Sequence, residues 1–446
     1  MKTLSFRPLI LRLSLAVAIV AGAVWLGRLI VLNALSDSLM TYVERTPTLS
    51  NEARRQAMDL AVKYTPDNPM AHLQRGGNYL TAAVEEGNED GAGVALWEIR
   101  QAARMSPEDY RIWLALGRAL DRTGRSNEAR EAYDRALRLS PNYFDTHWAL
   151  GNHLLRAGDR EGAFVQMRQA LALRPSAFSL IFDYAWEAYR GDALAIARAL
   201  EPGPEILAEM AALLVRRDLA DAGLQVWRQI AAPSPDDVRR FAASLIQAGR
   251  HGSAYQIWDA AALPEEDIPD PGSLLANGGF EKRIQLNQEV PFHSWRIGAG
   301  GGVRVTVDRK DPHEGSQSLR VSFNLENNQP VTVAAQTIPV RPNQSYCLTF
   351  YLRTEELKSL SLPLVELYDA ASPQRAYAAT APFSGEFPKW TEQSLRIRTA
   401  AATEAVTVRL QRPPCADPLC SIDGRLWLDG FTLTACDDRP KGTPGN

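Results

Sequence analysis

Four prolines divide the first half of the chain at a regular interval: Pro66, Pro107, Pro141 and Pro175 stand 41, 34 and 34 residues apart. Each has an alanine five residues before it (Ala61, Ala102, Ala136, Ala170), and three of those alanines have another seven residues earlier (Ala95, Ala129, Ala163). Gly76, Gly117 and Gly151 repeat the spacing upstream, each followed three residues later by Tyr79, Leu120 or Leu154. Small residues at fixed points let two helices approach closely. A proline then stops the second helix, because its ring cannot continue the hydrogen-bond ladder. A period of this length is one helical hairpin, and stacked hairpins bury a continuous core. The pattern predicts an all-α solenoid.

The run Trp113-Leu114-Ala115-Leu116-Gly117, continued by Ala129, Tyr133, Ala136 and Pro141, resembles the tetratricopeptide repeat family. The resemblance implies a concave surface that binds other proteins, in arrays that rarely catalyse. Positions one repeat apart line the same surface. Arg118 and Arg122 correspond to Asn152 and Arg156, with Arg111 and Trp148 on the same side one turn earlier. That places a basic, hydrogen-bonding strip with one aromatic in the groove; an ordinary solvated helix face is the alternative. Some relatives clamp a peptide's terminal carboxylate with basic residues and asparagine, and Asn152 alone does not reproduce that clamp.

At 446 residues the chain is long enough for more than one domain, and a formal net charge of −3 gives no electrostatic reason to expect nucleic acid. Its N-terminus reads as an address. Lys2, Arg7 and Arg12 precede an apolar stretch, and residues 13–35 as one helix are about 34 Å long, enough to cross a hydrocarbon core of ~30 Å. Arg28 lies near the far end, where it can snorkel to the headgroups. Basic residues ahead of the span keep residues 1–12 in the cytoplasm and export the rest. Ala21-Gly22-Ala23 is an alternative signal-peptidase site, but the chain stays apolar for nine residues past it, which favours an uncleaved anchor.

Residues 36–262 are read as the solenoid. Residues 36–50 are a polar lead-in, and residues 51–63 form the second helix of an incomplete first repeat. The seven extra residues of the first period fall around 85–91, as an acidic loop between two helices. Repeats at 110–143 and 144–177 match best. An irregular helix pair at 178–200 and two divergent hairpins between about 204 and 262 follow. Prolines and acids in 263–272 mark a linker.

Beyond it, runs such as Val303-Arg304-Val305-Thr306-Val307 and Val406-Thr407-Val408-Arg409-Leu410 alternate with period two, separated by turn-formers, as in an all-β sandwich. The four cysteines, Cys347, Cys415, Cys420 and Cys436, all lie in this region. An even count in an exported domain suits disulfides: Cys415 with Cys420 in a short loop, leaving Cys347 to Cys436. Unpaired cysteines in a β-rich core are the alternative. A zinc site is disfavoured, because no histidine stands near Cys415 and Cys420.

Residues 273–436 resemble the jelly-roll carbohydrate-binding modules of bacterial xylanases and cellulases. The resemblance rests on Leu275-Ala276-Asn277-Gly278-Gly279-Phe280-Glu281, Trp295, His313-Glu314-Gly315-Ser316-Gln317-Ser318, Pro342-Asn343-Gln344-Ser345-Tyr346, Trp390-Thr391 and Leu428-Asp429-Gly430. It implies a structural calcium held by Glu281 and Asp429, although the family often ends on two acids and this chain has Asp429-Gly430. The alternative is that both acids serve turn backbone groups. Exposed aromatics would stack on sugar rings. Trp295, Tyr351, Tyr368, Tyr377 and Trp390 are the aromatics considered; Trp295 and Trp390 fit packing better, which leaves Tyr368 and Tyr377 as the glycan-binding candidates. Residues 437–446 read as a disordered tail.

No catalytic pattern is present. His147 and His153 are six apart and point to different faces of one helix. His313-Glu314 has no second histidine for a zinc protease pattern, and Gly298-Ala299-Gly300-Gly301-Gly302 leads into a strand and not a helix. There is no Gly-x-Ser-x-Gly elbow. The expectation is a non-enzymatic scaffold on the bacterial inner membrane, its bulk periplasmic, binding envelope proteins and polysaccharide in envelope or exopolysaccharide assembly. Two rivals stand beside it: a protein-only scaffold and an envelope glycan hydrolase.

Overall fold

A computed structural model describes the chain except residues 1–6, 87–88, 264–267, 285–290, 299–300, 375, 384–386, 416–419 and 438–446. Most of the linker's acidic core, the centre of the glycine-rich stretch and nearly all of the tail therefore lie outside the described residues. The chain divides into two compact units, Met1–Pro202 and Gly203–Asn446.

The first unit is helical. A 39-residue helix, α1 (Arg7–Arg45), leads into α2 (Asn51–Tyr64). The hairpins α3 (Pro69–Glu86)/α4 (Glu89–Met105), α5 (Tyr110–Arg122)/α6 (Ser126–Leu139) and α7 (Phe144–Arg156)/α8 (Arg160–Leu173) follow, then the pair α9 (Phe178–Ala188) and α10 (Ala193–Leu200). The periodic alanines act as the spacing predicts: Ala61, Ala95, Ala102, Ala129, Ala136, Ala163 and Ala170 are all fully buried. Gly117 shows why that position has no side chain. A Cβ there would lie 2.5 Å from the Tyr133 ring across the hairpin.

Two expectations are corrected. Residues 36–50 are not a lead-in, because α1 continues to Arg45 and its last turns bury Ser36, Met40 and Val43 against α2 and α3. The missing first helix of the incomplete repeat is thus the end of α1. The insertion is absorbed mostly by longer helices: Glu85 and Glu86 end α3, and residues 89–91 begin α4.

The second unit begins with two helical hairpins, α11 (Pro204–Arg216)/α12 (Ala220–Trp227) and α13 (Pro235–Gln247)/α14 (His251–Ala261). Ser234 caps α13 with a reciprocal capping box to Asp237, and Pro235 occupies the first turn, where its missing N–H is not needed. Among the described residues ten strands follow: β1 (Arg296–Ile297), β2 (Val303–Asp308), β3 (Ser318–Leu325), β4 (Val331–Pro339), β5 (Ser345–Ser359), β6 (Leu364–Asp369), β7 (Ala376–Ala379), β8 (Thr391–Arg398), β9 (Ala405–Arg412) and β10 (Ile422–Ala435). They form two antiparallel sheets, ordered β1-β4-β9-β6-β7 and β2-β3-β10-β5-β8, and the chain switches sheets repeatedly. This is the sandwich that the period-two runs predict. Alternate residues of β5 (Tyr346, Leu348, Phe350, Leu352) enter a core in which Phe350 stacks on Phe431 at 4.7 Å between ring centres. Trp295 belongs to this core, against Phe280 and Phe431.

Candidate functional site

The predicted groove residues separate into two groups. Arg118 and Arg122 are exposed, one helical turn apart on α5, and among the described residues neither is in an ion pair. Arg111 is turned back onto Asp109, its own helix cap, at 2.6 Å. On α7, Trp148 stacks on Phe144 and meets Tyr184 of α9 edge-on at 5.1 Å. Asn152 donates to the Trp148 carbonyl, so half of its amide is already committed.

Arg156 is exposed but paired within the array. Its guanidinium reaches Asp121 of the preceding repeat at 2.5 Å, and the same carboxylate accepts from His153 at 2.7 Å and from the Tyr133 hydroxyl at 3.0 Å. Burial and then the Asp121 charge push the Tyr133 hydroxyl far above its ordinary range, with Arg156 and Arg118 opposing. Asp121 thus ties α5, α6 and α7 together. A similar knot lies one repeat earlier, where buried Glu98 takes His72 and Arg75, and Arg75 also pairs with Asp59.

A second repeated device went unread in the sequence. Six residues after three of the ruler prolines, a ring nitrogen bonds the proline carbonyl: His72 to Pro66, Trp113 to Pro107 and His147 to Pro141, at 2.7–2.8 Å. The fixed spacing of six was its available signal. His147 and His153 are therefore structural.

In the sandwich, Glu281 and Asp429 serve one turn. Asp429 is fully buried and accepts from the backbone N–H groups of His313, Glu314 and Gly430, while Glu281 accepts from the backbone of Ser316 and Gln317 and from the Ser316 hydroxyl. Burial pushes the Asp429 carboxyl up to about 6. Burial also raises Glu281, but its hydrogen bonds to Ser316 and Gln317 outweigh this and hold it below its usual value. The residues do not fit calcium, whose ligands must be oxygens. Here both carboxylates face N–H and O–H donors, and among the described residues no group of three or more His, Cys, Asp or Glu is placed to hold a metal ion.

Tyr368 is buried, with the Arg409 guanidinium 4.5 Å from its ring centre. Tyr377 is half-buried, and its hydroxyl joins Asp369, Thr403 and the Ala400 backbone. Tyr368 thus has little open face for stacking, and the Tyr377 hydroxyl is tethered. Tyr351 carries His313 stacked on it at 3.5 Å, and Trp390 stands edge-on to the same imidazole. Cys347 is bonded to Cys436, joining β5 to the residue after β10 with Cα atoms 5.9 Å apart, and Cys415 is bonded to Cys420.

Residues 117–158 match a family model described as TPR repeat. No curated protein matches the sequence. Among solved structures, the chain is similar to a crystal structure of MamA (14% identity, 42% of this chain and 90% of that one, TM-score 0.28). It is also similar to MamA residues 41-end from Desulfovibrio magneticus RS-1 (21% identity, 32% and 75%, TM-score 0.27). A third likeness is to a structure described as "CBM4 structure and function" (14% identity, 36% and 99%, TM-score 0.28).

Proposed function

We propose that this protein is a non-enzymatic scaffold, anchored in the bacterial inner membrane by α1, whose exported helical repeats capture a carboxylate-bearing segment of an envelope protein. The observation that carries the reading is the Arg118–Arg122 pair. Arg111, Arg125, Arg130, Arg135 and Arg156 in the repeats at 110–177 are spent on carboxylates of the array itself, whereas Arg118 and Arg122 on α5 and Arg138 on α6 are exposed and, among the described residues, in no ion pair. Arg118 and Arg122 are exposed on one face, with guanidinium forks free to take a partner's carboxylates in bidentate fashion. The repeat match over residues 117–158 covers both. The sandwich would touch glycan or another subunit in envelope or exopolysaccharide assembly. A protein-only role for it draws on the cover over Tyr368 and the tether on Tyr377.

A photo-reactive amino acid in place of Asn152 tests the reading in cells. It should give discrete protein adducts that vanish in the Arg118→Ala/Arg122→Ala background, while the same group at Arg130, on α6, gives none. Adducts that persist in that background would remove the arginines from the reading.

A further inference from the structure

The helix that would cross the membrane and the first helix of the repeat array are one element. No hinge separates them: α1 runs unbroken from Arg7 to Arg45. Its lower part is apolar and unburied over the candidate span, and its upper part is packed. The packing is specific. Ser36, fully buried, donates to the Ala61 carbonyl at 3.2 Å and accepts from the Thr65 hydroxyl at 2.8 Å. Thr65 starts the turn between α2 and α3, so this bond pins that turn to α1.

The pinned turn reaches back along the span. Tyr64, Thr65, Pro66, Asp67 and Asn68 face Leu29, Leu32 and Asn33 of α1 across a cleft of about 360 Å³. Its fold is fixed on the other side too, by His72 bonding the Pro66 carbonyl and by Asn68 accepting from the Met70 and Ala71 backbone. Counting from Leu13 at about 1.5 Å per residue, Leu29 to Asn33 stand about 24–30 Å along the helix. That is the outer edge of a hydrocarbon core ~30 Å thick.

We infer that the α2–α3 turn is a lipid-headgroup contact, its cleft taking the ammonium group of a zwitterionic headgroup beside Asp67. The inference rests on the reading of α1 as a membrane span. The cleft has the two walls such a place needs, leucines toward the acyl chains and amides and a carboxylate toward the headgroup. Tyr64, half-buried, is an amphipathic ring of the kind enriched at this depth. Asp67 is exposed and is the one charged residue among those lining the cleft, which selects an ammonium over a phosphate. The array would then stand at a fixed angle on the membrane, its first repeat in the headgroups.

Spin labels on single cysteines test this in the full chain, reconstituted in vesicles of phosphatidylethanolamine and phosphatidylglycerol. The sites are Val20→Cys in the span, Asp67→Cys in the turn and Ser126→Cys on the array. Collision with dissolved oxygen should dominate at position 20 and with a water-soluble nickel chelate at position 126; position 67 should report headgroup depth. A deep label at 20 with a fully aqueous label at 67 overturns the contact while leaving the span intact. An aqueous label at 20 overturns the span reading itself. Native mass spectrometry of the protein released from the same lipids reads the headgroup. Asp67→Asn should lower retained ethanolamine lipid relative to glycerol lipid about fivefold, as loss of an ion pair of about 1 kcal/mol implies. An unchanged ratio overturns the ammonium assignment.

Discussion

Adding one methyl group at Gly117 should destabilise the array, and the same change at Gly77 should stabilise it. Both glycines lie inside helices, where alanine is intrinsically better by about 1 kcal/mol. Their surroundings differ. A Cβ at Gly77 has nothing within 4 Å, whereas one at Gly117 meets three ring atoms of Tyr133 at 2.5–2.7 Å. Carbon atoms prefer about 3.5–4.0 Å, so the ring must retreat by about 1 Å. It cannot swing aside cheaply, because it is 1% exposed and its hydroxyl is held by Asp121. Overpacking of this kind costs about 1–3 kcal/mol. Gly77→Ala should therefore raise stability by about 1 kcal/mol, and Gly117→Ala should lie about 1–3 kcal/mol below it. Guanidinium unfolding of the full chain in detergent, followed by helix ellipticity, measures both. Tyr133→Leu should weaken the array alone yet relieve the Gly117→Ala penalty, giving a coupling that offsets the two single effects. Equal stabilisation by the two alanines would refute the close-packing argument.

The sandwich is open to three further tests. Mass mapping of protein kept oxidised should find no free thiols and the pairs Cys347–Cys436 and Cys415–Cys420; each bridge is worth about 2–4 kcal/mol, and four alkylatable thiols would sink the assignment. The Asp429 carboxyl is raised to about 6 in the folded state, against about 3.9 unfolded, so the folded state holds the extra proton. Its contribution is present below about pH 4 and lost as pH rises through 6, amounting to about 3 kcal/mol. Asp429→Asn should flatten that slope, and calcium or a chelator at pH 7 should leave the unfolding midpoint unmoved. A rise in midpoint with calcium would contradict the donor arrangement around Glu281 and Asp429.

The repeats were legible because their determinants are local: a proline ends each hairpin, and small residues sit where helices touch. The end of α1 was not, because Ser36-Asp37-Ser38 looks like a polar break. Its partners, the Ala61 carbonyl and the Thr65 hydroxyl, lie 25 and 29 residues on, and they explain why Ser36 is buried. Arg156 read as a groove residue by its repeat position, but its partner Asp121 lies 35 residues earlier and no pattern in its own helix announces it. Tyr368 stood as a glycan candidate because it and Tyr377 flank the loop at residues 371–375. Its cover comes from Arg409, on the neighbouring strand β9, where residue 407 is the direct partner. Strand alternation shows which way a side chain points, not what a neighbouring strand lays over it.

The proposed function stands on Arg118 and Arg122 gripping a partner's carboxylates. Titrating the partner captured from position 152 against wild-type and Arg118→Ala/Arg122→Ala protein in the same lipid measures it directly. A charge-assisted contact contributes about 1.5–3 kcal/mol when shielded from water. Affinity should therefore fall tenfold or more, since ~1.4 kcal/mol is a factor of ten, with helix content unchanged. Equal affinity of the two proteins, with the partner's acids still required, would contradict it.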